Sequence, residues 1–173
     1  KNIGPERRNN RHRILLMKKE RWFSGDHKET TLDQIFIDIR NHSKNKGKIY
    51  IGSDSYVQKQ NCVFCCAIVL HGAEGQSGGK YYYHRFLTHK NSFPSMTARI
   101  THEVQKSIEI GMEVGQECPN VKVELHLDIN NDKRMSSQKM AESMTGWVKA
   151  VGFDCKIKPE SWASSKIADI HTK

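Results

Sequence analysis

Two aspartates that each close a strand-like segment are the first residues of this sequence that could do chemistry. Asp54 ends the β-branched and aromatic segment 48–55 (KIYIGSDS), and Asp128 ends the strictly alternating segment 121–128 (VKVELHLD). If the two strands are neighbours, both carboxylates lie at one edge of a sheet. Their oxygens would suit a hard divalent cation such as Mg²⁺ or Mn²⁺. The alternative for Asp54, considered alone, is that it starts a turn.

Side-chain alternation indicates which residues accompany the two aspartates. Tyr50 and Gly52 share a strand face with Asp54. A glycine inside a strand marks the close approach of a backbone or a ligand. His126 shares a face with Asp128, so it could orient that carboxylate, and the alternative is a core histidine whose hydrogen bonds are satisfied.

Apolar periodicity predicts the elements that must position these residues. Helical spacing predicts helices over about 31–45, 95–115 and 136–151, with a last helix that begins near Trp162 or Ser164. Strands are predicted over 48–55, 62–70, 80–87, 121–128 and 153–158. Short turns join the first three strands, which predicts an antiparallel meander, whereas helices separate the later strands, which predicts parallel pairing.

This order predicts an α/β fold with a mixed five-stranded sheet and helices on both faces. In such sheets ligands bind at the carboxyl ends of strands, beside the point where the strand order switches. Asp54 and Asp128 both end their strands there, which supports a site at that edge.

Charge favours an anionic partner. The 173 residues include 28 Lys and Arg against 19 Asp and Glu, a net charge of +9. Nucleic acid is the commonest partner of a basic domain. The basic residues are dense near the start, which predicts a basic N-terminal arm over residues 1–30 and one folded domain over residues 31–173. The arm would be either a solvated tail or an electrostatic handle for phosphates.

Neither a membrane span nor a zinc site is indicated. No apolar run approaches the roughly 20 residues that cross a bilayer, and the first residues do not resemble a signal peptide. We therefore expect a cytoplasmic protein that has no membrane partner. The five cysteines lack the paired spacing of a zinc site, so buried free thiols are expected.

Glu103 is a third candidate acid. It lies beside the apolar stripe of the predicted helix 95–115, and Arg99 and Ser107 share its side one turn away. It could therefore point across the sheet edge. The default for a glutamate on a helix is a solvated surface position.

Three phrases of the sequence resemble the YkuK-type family of ribonuclease H-like proteins. They are IGSDS at 51–55, HLDI at 126–129 and the tail IKPESWASSKIADIHTK at 157–173, and the similarity extends over about residues 31–173. The resemblance implies the ribonuclease H-like fold. It also implies four metal-binding carboxylates, namely Asp54, Glu103, Asp128 and Asp169.

The resemblance further implies roles for these acids around two Mg²⁺ or Mn²⁺ ions. Asp54 would bridge both ions, Glu103 and Asp128 would hold the ion beside the leaving group, and Asp169 would hold the ion that activates water. Such a pair can activate a water and neutralise a departing oxygen in phosphodiester cleavage.

Two further residues could assist. His171 follows Asp169 by two positions, and it could transfer a proton or lie at a surface helix end. Lys158 ends the predicted fifth strand, where it could contact phosphate or cap the strand.

Two functions follow as hypotheses. The first is a metal-dependent nuclease that cuts RNA, an RNA–DNA hybrid or structured DNA. The alternative is a non-catalytic nucleic-acid-binding module that keeps the fold. The complete set of four acids favours the nuclease, because a binding module gains nothing from clustered negative charge that faces phosphates.

Overall fold

The computed structural model describes residues 20–130 and 135–173, so most of the basic arm lies outside the described residues. The described strands are β1 (Trp22–Ser24), β2 (Glu29–Thr30), β3 (Lys48–Gln58), β4 (Asn61–His71), β5 (Gly79–His89), β6 (Val123–Asn130) and β7 (Asp154–Lys158). The α-helices are α1 (Leu32–Lys44), α2 (Met96–Glu117) and α3 (Met135–Ala150). The C-terminal segment, residues 161–173, contains a π-helix (Ala163–Ala168) and a 3₁₀-helix (Asp169–His171).

The strands form one mixed sheet in the order β2-β1-β5-β4-β3-β6-β7. Strands β3, β4 and β5 pair in an antiparallel meander, and β6 and β7 add in parallel beyond β3. Both pairings confirm the prediction. Among the described residues, however, the sheet has seven strands, where the sequence predicted five.

The two extra strands, β1 and β2, fall in the segment that the sequence analysis assigned to the basic arm. They contain three and two residues, which is too short to display an alternating pattern. Trp22 nevertheless is fully buried, and its ring lies 5.6 Å from the ring of His84 on β5. Tertiary packing, rather than local sequence, therefore forms this edge of the sheet.

The helices begin where capping residues stand in the sequence. The Thr31 hydroxyl accepts the N–H of Gln34 at 3.2 Å at the start of α1, and the Ser95 hydroxyl accepts the N–H of Ala98 at 3.1 Å at the start of α2. These bonds satisfy N–H groups that lack a partner within the helix. Both helices bury the apolar stripes that predicted them.

The two faces of the sheet are covered differently. The three α-helices pack on one face around the larger apolar cluster, which includes Ile35, Ile51, Val104 and Leu125. The C-terminal segment covers the other face over a smaller cluster. All five cysteines are free, and all but Cys155 are buried. None of the helices in residues 20–130 and 135–173 has the length and apolarity that crossing a membrane requires.

Gly52 on β3 explains how closely the C-terminal segment approaches. A Cβ atom at this position would lie 2.5 Å from the backbone nitrogen of Ser164 and 2.9 Å from the carbonyl carbon of Ala163. Real Cβ atoms do not come so close to a backbone, so the contact requires glycine. The sequence predicted that a backbone or a ligand approaches Gly52 closely, and in the structure the backbone of Ala163 and Ser164 does so.

Candidate functional site

Asp54 and Asp128 lie side by side on adjacent parallel strands, but the prediction that each ends its strand is wrong, because β3 continues to Gln58 and β6 to Asn130. Ser53 on β3 aligns with Leu127 on β6, and one more step of this register brings Asp54 beside Asp128. Equivalent positions of paired parallel strands point to the same face, so both carboxylates project toward the side that the C-terminal segment covers.

Asp54 is the most central of the four candidate acids. Its side chain is 7% exposed, and the Thr172 hydroxyl donates to its Oδ2 at 3.2 Å. Burial, together with the negative charges of Asp128 and Asp169, raises the pKa of Asp54 to about 6, although hydrogen bonds from the Ser55 N–H and Thr172 act in the opposite direction. The carboxylates of three elements therefore act on one another here.

Glu103 enters the site from α2 and is 5% exposed, so its default as a solvated helix residue is wrong. The Ser55 hydroxyl donates to its Oε1 at 2.5 Å, and Arg99 donates to the Ser55 hydroxyl at 2.8 Å. Burial, together with the negative charges of Asp54 and Asp128, raises the pKa of Glu103 to about 8, although the Ser55 hydrogen bond and the Arg99 charge act in the opposite direction. Glu103 thus reaches the same cluster of acids.

Asp128 has a lysine as its nearest partner. The ammonium of Lys158, on β7, lies 2.6 Å from Asp128 Oδ1. Asp128 and Glu103 also line one narrow crevice, together with Ser107 of α2. The sequence suggested that Lys158 contacts phosphate or caps its strand. In the structure its ammonium contacts the Asp128 carboxylate instead.

Asp169 projects from the 3₁₀-helix of the C-terminal segment. Its side chain is the most exposed of the four at 36%, and Lys173 lies 2.7 Å from its Oδ2. Its charge still contributes to the raised pKa of Asp54. The four acids named by the resemblance thus come from β3, α2, β6 and the C-terminal segment, and each lies near enough to another for one charge to shift the other's pKa.

His126 has a structural position. Its Nδ1 accepts the backbone N–H of Ala163 at 3.0 Å, so the ring proton lies on Nε2, 3.1 Å from Glu124 Oε1. The ring is 1% exposed, and burial lowers its pKa. Both ring nitrogens of His126 thus have a partner, as in the alternative of a core histidine whose hydrogen bonds are satisfied. The bond to Ala163 fixes the C-terminal segment against β6.

His171 is buried rather than at a surface helix end. Its ring stacks on Tyr83 with centroids 3.6 Å apart, and its Nε2 lies 3.3 Å from the Tyr81 hydroxyl. Burial lowers its pKa, and the charges of His27 and Arg85 lower it further. These contacts anchor the end of the C-terminal segment, and a part for His171 in proton transfer stays a prediction.

The donor set fits a hard divalent ion. Four carboxylates supply only oxygen, the ligand type that Mg²⁺ and Mn²⁺ prefer over zinc. In residues 20–130 and 135–173, however, the structure shows no group of three or more Asp, Glu, Cys or His side chains that is arranged to hold a metal ion. Lys158 and Lys173 pair with Asp128 and Asp169, so a divalent ion bound by these two acids would have to replace both ammonium groups.

Several residues at the site were not singled out for it from the sequence. They are Ser55, Thr172 and Lys173, together with Arg99, which was noted only as a neighbour of Glu103. Ser55 had a signal, because it directly follows Asp54. Lys173 stands four residues after Asp169, which is the spacing of an ion pair on a helix. Thr172 had no such signal, because its contact with Asp54 joins residues 118 positions apart.

Comparison with known proteins identifies the family. A model of the family described as Ribonuclease H-like matches residues 30–173, a range that holds β3 to β7 and all four acids. No match was found among curated proteins or among solved structures. The chain belongs to the ribonuclease H-like family.

Proposed function

We propose that this protein is a divalent-metal-dependent nuclease that hydrolyses phosphodiester bonds of RNA, an RNA–DNA hybrid or structured DNA. The observation that supports the proposal is the position of Asp54 beside Asp128 on adjacent parallel strands, with Glu103 and Asp169 near enough for their charges to act within this set of acids. The raised pKa values of Asp54 and Glu103, to about 6 and about 8, include contributions from the other acids' charges. Family membership is consistent with an action on nucleic acid.

Clustered acids of this kind suit phosphodiester hydrolysis. Two Mg²⁺ or Mn²⁺ ions bound there would supply a nucleophilic water and neutralise the charge on the departing oxygen. In this proposal Asp54 would help to hold both ions, Glu103 and Asp128 would hold the ion that neutralises the leaving group, and Asp169 would hold the ion that activates water. Ser55 and Arg99 hold the Glu103 carboxylate in place.

A second candidate function is a non-catalytic module that binds nucleic acid. The ion pairs Lys158–Asp128 and Lys173–Asp169 favour it, because they neutralise two of the acids from within the chain. The pair at Asp169 is largely exposed, so it contributes little to stability and a divalent cation would replace it readily.

The decisive test is hydrolysis of labelled RNA, hybrid and branched DNA with Mg²⁺ or Mn²⁺. We expect the parent chain to cut at least one substrate and EDTA to stop it. Asp54→Asn and Asp128→Asn should each lose the activity, whereas Asp154→Asn, at an exposed aspartate on β7, should keep it. If the parent chain binds these polymers and never cuts them, the binding module is correct. If both site variants keep cutting, the activity belongs to a contaminant.

A further inference from the structure

The strand face that carries Asp54 continues past the four acids as an exposed surface. Across the meander, Asp54 aligns with Cys65 on β4, and Cys65 aligns with Arg85 on β5. In the next row on the same face, Tyr56 aligns with Val63, and Val63 aligns with Leu87. We call the three exposed side chains of these rows, Tyr56, Arg85 and Leu87, the strand platform.

The platform is unusually open for a strand face beside a buried core. Tyr56 is 44% exposed and Leu87 is 61% exposed, whereas Cys65 and Val63 between them are fully buried. The C-terminal segment packs on this face at Asp54, through Thr172, and at Tyr83, through His171. The exposed side chains of the platform therefore stand on β3 and β5, on either side of buried β4 residues, next to the row that holds Asp54.

Arg85 gives the platform a positive charge at a useful distance. Neighbouring strands lie about 4.8 Å apart, so two strand steps place its Cα roughly 10 Å from that of Asp54. Its charge reaches the buried ring of His171 and the thiol of Cys65. Arg85 is exposed and has no ion-pair partner among residues 20–130 and 135–173. A guanidinium in this state is suited to bind a phosphate.

Tyr56 lies between the acids and the open end of β3. Tyr56 follows Asp54 by two positions on β3, so its side chain leaves the same face of the sheet as the Asp54 carboxylate. An exposed aromatic ring on a strand face can stack on any base that is not paired. A base inside a duplex is already stacked between its neighbours, so its face is not free for such a contact.

We propose that an unpaired stretch of nucleic acid lies across the strand platform, with a base on the Tyr56 ring and a phosphate on the Arg85 guanidinium. This inference rests on the proposed function, because it treats the four acids as the place where the strand is cut. It names the substrate class of that site as single-stranded RNA or DNA.

Binding without cleavage tests the platform. We would measure fluorescence anisotropy of a labelled single strand of RNA, the same DNA sequence, and the corresponding duplexes, with the full-length Asp54→Asn variant in Mg²⁺. Adding Tyr56→Ala or Arg85→Gln should weaken single-strand binding about tenfold each. Arg85→Gln should also lower the slope of log affinity against log salt concentration by about 0.7.

Matched controls come from the opposite side of the molecule. Ile37 on α1 has the same 44% exposure as Tyr56, and Lys44 is an exposed cation at the end of α1. Ile37→Ala and Lys44→Gln should bind as the Asp54→Asn parent does. All variants should keep its melting temperature, because the changed side chains are exposed.

The outcomes separate this inference from the proposed function. Unchanged affinity and salt slope in both platform variants would overturn the platform even if the parent chain cuts nucleic acid. Equal losses on the duplex would overturn the assignment to an unpaired strand. A loss of affinity for the single strand that is confined to the platform variants would support the inference, even if the parent chain shows no cleavage.

Discussion

At the scale of single residues, the four candidate metal ligands differ in what they contact. The two most buried acids accept hydrogen bonds from hydroxyl groups, and the two more exposed acids pair with lysines. The pairs are Asp54 with Thr172, Glu103 with Ser55, Asp128 with Lys158 and Asp169 with Lys173. Hydroxyl partners leave a carboxylate's negative charge in place, whereas an ammonium neutralises it. The two kinds of acid should therefore respond to different perturbations.

Removing the lysine at Asp128 should improve metal binding. The Lys158 ammonium lies 2.6 Å from Asp128 Oδ1, where it competes with any cation for the same oxygen. We expect Lys158→Met to tighten Mn²⁺ binding about fivefold or more in titration calorimetry. Lys156→Met is the control, because Lys156 is on the same strand and pairs with Glu160 instead. Equal Mn²⁺ affinity in the two variants would contradict the competition.

Glu103 should make the chelator-treated protein less stable as the pH rises. Its pKa is raised from the ordinary 4.5 to about 8, so the folded chain holds the proton more tightly than the unfolded chain does. The stabilisation of the folded chain by the proton on Glu103 is fully present below about pH 4.5 and is lost as the pH rises through about 8.

The measurement is the melting temperature in EDTA between pH 5 and pH 8.5. We expect a fall equivalent to about 4 kcal/mol from Glu103, to which Asp54, whose pKa is raised in the same direction, adds about 1 kcal/mol. Glu103→Gln should flatten the curve, whereas Glu142→Gln, on the exposed side of α3, should leave it as in the parent chain. A Glu103→Gln protein that keeps the full slope would refute the assignment.

At the scale of elements, the C-terminal segment determines whether Asp169 reaches the other acids. Besides the contacts of His171 with β5, three contacts attach the segment to the sheet near the acids: its backbone lies on Gly52, the Ala163 N–H binds His126, and the Thr172 hydroxyl binds Asp54. These three come from β3 and β6, the two strands that carry Asp54 and Asp128. The same strands therefore hold both the acids and the segment that completes the set.

Gly52→Ala should detach this segment. The new methyl group would lie 2.5 Å from the Ser164 nitrogen, and backbone cannot move aside cheaply. We expect a loss of about 1–3 kcal/mol in urea unfolding, together with weaker Mn²⁺ binding, because Asp169 moves with the segment. Gly146→Ala is the control: Gly146 is exposed on α3, has open space around its Cβ position, and should be neutral or stabilising by up to about 1 kcal/mol. Equal stability and metal affinity in the two variants would refute this role of Gly52.

The sequence predicted elements well where a local pattern was long enough to define them. Strands β3 to β5 have eleven residues each, and α2 has a cap at Ser95 and a repeated apolar stripe. β1 and β2 offered no such pattern. At the site, the positions of Asp54 and Asp128 followed from strand order, whereas the contacts of Thr172 and His171 depend on side chains far apart in the chain. Local periodicity carries no information about those contacts.

At the scale of the whole molecule, the described fold begins before the range that matches the family. The match starts at residue 30, yet β1 pairs with β5 through Trp22, Phe23 and Ser24. Without β1, the outer side of β5 would present unpaired backbone groups and lose the cover of a buried tryptophan. Exposed strand edges of this kind promote association between chains.

A chain that starts at residue 31 should therefore be less stable than the full chain and should self-associate. Trp22 is fully buried, so Trp22→Ala alone should lower the free energy of unfolding by about 3–5 kcal/mol. Phe23→Ala is the matched comparison, because the Phe23 ring is next in the chain, is only partly buried and stacks on Tyr83. This change should lower the free energy of unfolding by about half as much as Trp22→Ala does. Urea unfolding and light scattering measure the two effects. A shortened chain that stays monomeric and unfolds at the same urea concentration as the full chain would show that β1 adds nothing to the fold, and the family match alone would then mark the domain boundary.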